Sequence, residues 1–184
     1  MSKKFEIDLY SQLELNNVAF RRDGRIEAQC ALDEGFSEAP AENGMLLAVD
    51  RANGLIKLPV DGSLPIALNY TAEHMYDERK MGLKNFCLRP EDGFYPRMGY
   101  LSVGDLFTTN CLCYNETDYT TQNALEEALG KLGKLGETAV YGGADASGRI
   151  CLSKEKPAFG PVLKAVKFYT MPNGEPGVKF QVIG

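Results

Sequence analysis

Apolar and polar residues alternate along this chain in short runs, and glycine, proline and asparagine break the runs at close intervals. That is the pattern of many short strands joined by tight turns. Phe5-Glu6-Ile7-Asp8-Leu9-Tyr10 alternates with period two, as a half-buried strand does. A polar stretch, Ser11 to Asn17, follows. Asp23-Gly24 marks a turn between Val18-Ala19-Phe20 and the alternating run Arg25-Ile26-Glu27-Ala28-Gln29-Cys30. Residues 1–30 therefore read as an extended N-terminal arm or a hairpin.

Asp33 to Asn43 is loop-like, with Gly35 and Pro40 inside it. The clearest local signal follows, where Gly44–Val49 and Leu55–Leu58 flank Asp50-Arg51-Ala52-Asn53-Gly54. Asn-Gly supplies the positive φ that a tight hairpin needs. Pro65–Tyr70 reads as a further strand. Thr71–Arg79 reads as a short helix with Thr71 as its N-cap, and Leu83–Leu88 as another strand. Met98–Val103 and Leu106–Thr109 read as two strands about a Gly104-Asp105 turn, and Cys111–Tyr114 extends the β-rich region.

The best helix signal is Leu125, Ala128, Leu129 and Leu132, which repeat at helical spacing and build one apolar face. Gly130, Gly133 and Gly136 end it. The tail is β again: Val162–Tyr169 and Val178–Ile183 flank a Pro/Gly/Asn turn, with Val178, Phe180 and Val182 on one face. The expected fold is mainly β, a β-barrel or β-sandwich with one or two short helices. No repeat, low-complexity segment or linker breaks the pattern, so residues 1–184 are expected to form a single domain.

Composition narrows the function classes. With 44% hydrophobic and 24% charged residues, a chain of 184 residues can bury a core without metal or disulfide staples. A net charge of −5 argues against nucleic acid as a partner, since affinity for a polyanion comes chiefly from Lys and Arg. The basic cluster Arg21, Arg22 and Arg25 is short, is interrupted by Asp23, and reads as solvated surface or an inter-subunit contact. The N-terminus has no secretion-signal pattern, and no apolar window is long enough to cross a bilayer, so no membrane partner is expected. With an odd count of five cysteines, these features predict synthesis in a reducing cytoplasm with the thiols free.

No motif predicts a catalytic, cofactor-binding or metal site. His74, the only histidine, shares a helical face with Asp77 and Glu78, but one imidazole supplies a single metal ligand, and the cluster reads as surface. Cys111-Leu112-Cys113 has the spacing of two thiols on one strand face, a seed for zinc. Cys30, Cys87 and Cys151 are scattered singles, and buried structural thiols are the reading taken. Gly130-Lys131-Leu132-Gly133-Lys134-Leu135-Gly136 follows a helix and has Leu after each Lys, the wrong order for a phosphate-binding loop. The acidic pairs Glu91/Asp92, Glu116/Asp118 and Glu126/Glu127 lie in turns or on a helix face and are read as solubility. Tryptophan is absent and tyrosines number nine. Such a chain is expected to work by presenting surfaces, not as an enzyme.

The succession Glu42–Asp50, Gly54–Leu58, Pro65–Leu68 and Val103–Asn110 resembles the ordering in capsid-decoration and head-accessory proteins of tailed bacteriophages. Those carry a Gly-Met-Leu type strand, a hairpin, a return strand, and later a Gly-Asp turn into another strand. The likeness covers residues 42–110, and its motifs are strand and turn punctuation, so no functional residue is carried over. The resemblance implies a β-rich homo-oligomer, with a trimer favoured, that binds the major capsid protein or other virion proteins and uses its N-terminal arm to grip the shell. Its location would be the virion. The length, the Leu125–Leu132 helix and the C-terminal hairpin depart from the smallest such proteins and leave a tail or connector role as an alternative. A small β-barrel ligand-binding protein or enzyme using carboxylates and tyrosines is the other reading carried forward.

Overall fold

The clean alternation of the tail becomes the longest hairpin among the described residues, and shorter strands assemble around it into sheets. The computed structural model describes residues 1–8, 10–71 and 87–184. In chain order the elements begin with β1 (Ser2–Lys4), β2 (Leu13–Asn17), α1 (Ala19–Asp23), β3 (Ile26–Glu27), β4 (Ala31–Leu32), β5 (Ala41–Glu42) and β6 (Leu46–Asp50). They continue with β7 (Leu55–Lys57), β8 (Ile66–Asn69), β9 (Cys87–Leu88), β10 (Met98–Gly99), β11 (Leu106–Thr109) and β12 (Leu112–Asn115). The chain ends with α2 (Gln122–Leu129), β13 (Tyr141–Ala144), β14 (Ile150–Ser153), β15 (Leu163–Thr170) and β16 (Pro176–Val182).

The larger sheet has the order β1-β12-β14-β13-β15-β16-β11-β2, and a second has the order β3-β10-β8-β6-β7-β4. A small third pairing joins β5 to β9. The outer strands β1 and β2 do not pair with each other, so the larger sheet is open. Of the two expected architectures, the protein is sandwich-like, and no closed barrel forms among the described residues.

The two larger sheets meet through a shared apolar layer. Phe107, Leu112, Tyr114, Ile150, Leu152 and Phe180 from one sheet pack with Leu46 and Leu68 from the other. All five residues of β6 are buried, because its two faces serve different cores. Leu46 faces the larger sheet, while Leu47 and Val49 turn to a second cluster with Ile56, Ala67, Met98, Leu32 and Phe36. Full burial of each such side chain contributes about 1.5–3 kcal/mol, and a one-residue slip of β6 would exchange its faces.

The β15–β16 hairpin places Val178, Phe180 and Val182 inward as their alternation predicts. A register shift between Ala165 and Lys167 leaves Val166 bulged, which lets Leu163, Ala165 and Phe168 all turn toward the same core. The β6–β7 hairpin also forms as predicted, with Asp50 opposite Leu55 and Gly54 at φ 67°. Helix α2 buries Leu125 and Leu129, and the Thr121 hydroxyl caps it by accepting the Ala124 N–H at 3.2 Å.

Several expectations need correction. Residues 1–8 and 10–30 contribute β1 and β2 to the larger sheet and β3 to the second. The described residues of the expected Phe5–Tyr10 strand form none; the strand is β1 just before them, and Phe5 is wholly buried. The polar stretch Ser11–Asn17 contains β2. Asp23-Gly24 closes no hairpin: Val18 precedes α1, and Gly24 at φ 67° is its left-handed C-cap. Phe20 decides the matter by packing on Tyr70, with ring centroids 5.0 Å apart. The Gly104-Asp105 turn joins strands of different sheets, β10 and β11, instead of a paired hairpin. The periodicity did not flag β13 and β14. The Thr71–Arg79 helix and most of the Leu83–Leu88 strand fall outside the described residues, apart from Thr71 and from Cys87 and Leu88 in β9. No helix among the described residues is long and apolar enough to cross a membrane.

The β6–β7 turn carries a testable ionic dependence. The Lys57 ammonium and the Asn53 side-chain and backbone N–H groups all donate to the Asp50 carboxylate, at 2.7, 2.7 and 3.1 Å. They hold its pKa down at about 2, from an ordinary 3.8. A depressed carboxylate stabilises the fold at pH values above its unfolded pKa, and that stabilisation is lost as pH falls through the folded value. Thermal melts of wild type and Asp50→Asn should therefore differ at neutral pH, with the gap closing between pH 3.8 and about 2. An unchanged gap at the acid end would contradict this account.

Candidate functional site

Glu42 is the point where three chain segments that are remote in sequence meet. Backbone and hydroxyl of Ser11 both donate to its Oε2 at 2.7 Å, and Arg149 Nη2 pairs with its Oε1. Arg149 Nη1 approaches Cys111 Sγ at 3.8 Å. Glu42 is 4% exposed and Arg149 7%, so both charges have left water. Around them, Asn69 Nδ2 donates to Glu42 O at 2.9 Å, Gln12 N to Asn110 Oδ1 at 2.6 Å, and Thr109 Oγ1 to Gln12 O at 2.6 Å. Both carboxylate oxygens accept from protein donors. The arrangement is an inter-sheet tie, and burial pushes the Cys111 thiol beside it up to about 11, so it is protonated at neutral pH.

The five-residue turn between β13 and β14 supplies that arginine. Gly148 sits at φ 79°, and a Cβ there would lie 2.8 Å from Leu47 Cδ2, so both conformation and space require glycine. Its carbonyl accepts the Leu46 N–H at 2.8 Å, which pins the turn to β6.

At the start of the same turn, Asp145 faces two thiols. Strands β12 and β14 run parallel with Cys113 directly opposite Cys151. Their neighbours Leu112, Tyr114, Ile150 and Leu152 point into the core, so the two thiols share the opposite face. Ligand atoms of Cys113, Asp145 and Cys151 all lie within 4.8 Å of one another. Cys113 is buried, while Cys151 and Asp145 are half-buried. The interaction between the two thiols and burial push Cys113 up, while the same interaction pulls Cys151 down. Ser147 N and Oγ donate to Asp145 Oδ2 at 3.0 and 2.7 Å, which orients the carboxylate.

A shallow cleft of about 350 Å³ is lined by Gly24, Arg25, Ile26, Arg51, Pro65 and Tyr100. Its cations are engaged: Arg51 donates to Glu27 at 2.9 Å and lies 5.6 Å from the Tyr100 ring centroid, and Arg25 pairs with Asp23 at 3.6 Å.

The sequence-level candidates separate. His74, Asp77 and Glu78 lie outside the described residues. Cys111 and Cys113 do not act together; the first turns to Arg149 and the second to Cys151. Cys151, read as a scattered single, is thus the partner that sequence spacing missed, and Asp145 carried no signal at all. Cys30 is buried in the second core, and Cys87 is half-buried in β9. One member of each acidic pair is held within the fold: Asp92 accepts the Arg89 N–H, Asp118 the Ser153 hydroxyl from a strand remote in sequence, and Glu126 the Gln122 amide. Arg21, Arg22 and Arg25 are exposed on and after α1, and Gly130–Gly136 follows α2 as a helix terminus.

The fold and these sites define a mainly β, sandwich-like protein with a buried inter-sheet ion pair and an outward thiol–carboxylate cluster. No protein-family model, no curated protein and no solved structure matches the chain.

Removing one partner of the buried pair strands the other. Arg149→Met is expected to cost about 3–5 kcal/mol in urea unfolding, and adding Glu42→Gln should recover part of that loss. A double-variant loss equal to the sum of the two single-variant losses would show that the pair is not coupled.

Proposed function

We propose that this chain is a structural component of a tailed-phage particle, a capsid decoration or accessory protein that acts by symmetric assembly on the capsid lattice. The supporting observation is the placement of its first seventeen residues, which supply both outermost strands of the larger sheet. Among the described residues, β1 and β2 each have a single strand neighbour. Phe5 N donates to Leu112 O and Met1 O accepts from Glu116 N, so the odd-numbered residues of β1 face β12. By alternation, the N–H and C=O groups of Ser2 and Lys4 point outward. Such an edge adds readily to a strand of a neighbouring subunit or of the shell. The exposed aromatic pair Phe94 and Tyr95 offers the kind of side chain that anchors protein interfaces. The resemblance over residues 42–110 supports the same reading, since its hairpin and return strand are β6, β7 and β8 at the centre of the smaller sheet.

Native mass spectrometry of the full chain and co-sedimentation with capsid shells lacking it test this reading. A trimer that binds the shells is the expected result. Rings or tubes would move it to the tail or connector, and a monomer that ignores shells would overturn it. Lys4→Pro removes one outward donor while sparing the β1–β12 ladder, and should weaken shell binding about three- to tenfold, the worth of one hydrogen bond.

A further inference from the structure

We propose that Cys113, Cys151 and Asp145 bind one thiophilic divalent cation of the Zn²⁺ class, through two thiolate sulfurs and one carboxylate oxygen, with the fourth position open to solvent. This goes beyond the assembly role and does not depend on it.

The geometry is close to what such an ion requires. Bond lengths of about 2.3 Å to sulfur and 2.0–2.2 Å to oxygen put tetrahedral donor atoms roughly 3.5–3.8 Å apart. The three donor atoms already lie within 4.8 Å of one another, so small rotations of the side chains close the set. Each donor is held by the backbone: the sulfurs by adjacent positions of the parallel β12–β14 ladder, the carboxylate by its turn. Ser147 engages Oδ2 twice, which leaves Oδ1 as the donor and gives the site an outer shell.

The donor set also selects the metal. Thiolates favour Zn²⁺ and other soft or borderline ions over Mg²⁺ and Ca²⁺, which take oxygen ligands. Half-buried Cys151 and Asp145 provide the entry path, while buried Cys113 forms the floor. Binding moves no electrons: the cation forms two metal–sulfur bonds and one metal–oxygen bond, and the thiol protons leave to solvent buffer. The ion would tie the β13–β14 turn, which carries Arg149, to β12.

The test uses the full chain with a reductant that does not chelate metal. Titration with Co²⁺ should give thiolate-to-cobalt charge-transfer absorption and visible bands of a tetrahedral ion, saturating at one equivalent. Native mass spectrometry with Zn²⁺ should add one ion per chain, and free Zn²⁺ at a hundred times its Kd should raise the Tm by about 5–10 °C. Cys151→Ser should weaken binding at least a hundredfold and Asp145→Asn about tenfold, with unchanged far-ultraviolet circular dichroism; Cys30→Ser should leave it intact. Absence of the charge-transfer band at stoichiometric Co²⁺ would overturn the proposal. So would undiminished Zn²⁺ affinity in folded Cys151→Ser and Asp145→Asn.

Discussion

The ion pair between Glu42 and Arg149 is the constraint on which the rest of the structure depends. Glu42 belongs to the short β5–β9 pairing, Arg149 to the β13–β14 turn of the larger sheet, and Ser11, which completes the carboxylate's shell, to the N-terminal segment. Burying two charges costs several kcal/mol per ion unless partners and hydrogen bonds compensate. Here both carboxylate oxygens are satisfied, so the cost falls on any arrangement that separates these segments. Apolar packing alone favours contact between the sheets in many relative positions. A buried pair with directed bonds favours one.

The β13–β14 turn serves two surfaces at once. Inward, Arg149 reaches Glu42 and Gly148 hands its carbonyl to β6; outward, Asp145 approaches Cys113 and Cys151. An ion held on the outer face would stiffen the same five residues that hold the inner tie. The alternation of β12 and β14 makes this possible, since each strand sends its large apolar side chains to the core and its cysteine to the other face. The edge strands β1 and β2 have a related double character. Phe5 is fully buried while the adjoining strand lies at the exposed rim, so the N-terminal segment is anchored although its strand is an edge.

Much of the local structure was legible in the residues. The β6–β7 and β15–β16 hairpins and helix α2 each combine a periodic apolar face with turn or cap residues of defined backbone preference. Where a turn signal stood alone, as at Asp23-Gly24, the reading failed. A left-handed glycine closes a hairpin or caps a helix equally well, and Gly24 caps a helix because Phe20 finds its place against Tyr70. The run around Gly142 and Gly143, on which the sequence pattern gave no reading, forms the middle of a sheet whose neighbours supply the packing its glycines lack.

By itself the sequence determined a mainly β chain, the positions of its strongest hairpins and its best helix, and a net acidic charge. These follow from backbone preferences and side-chain alternation, which are written in a few neighbouring residues. Only the tertiary structure decided which strands share a sheet, that Glu42 and Arg149 meet, and that Cys113 faces Cys151 and Asp145. Those contacts depend on the register of strands distant in sequence, which is set by how the two faces of β6 sort between two cores and those of β12 between the core and the cysteine face. No local spacing records it.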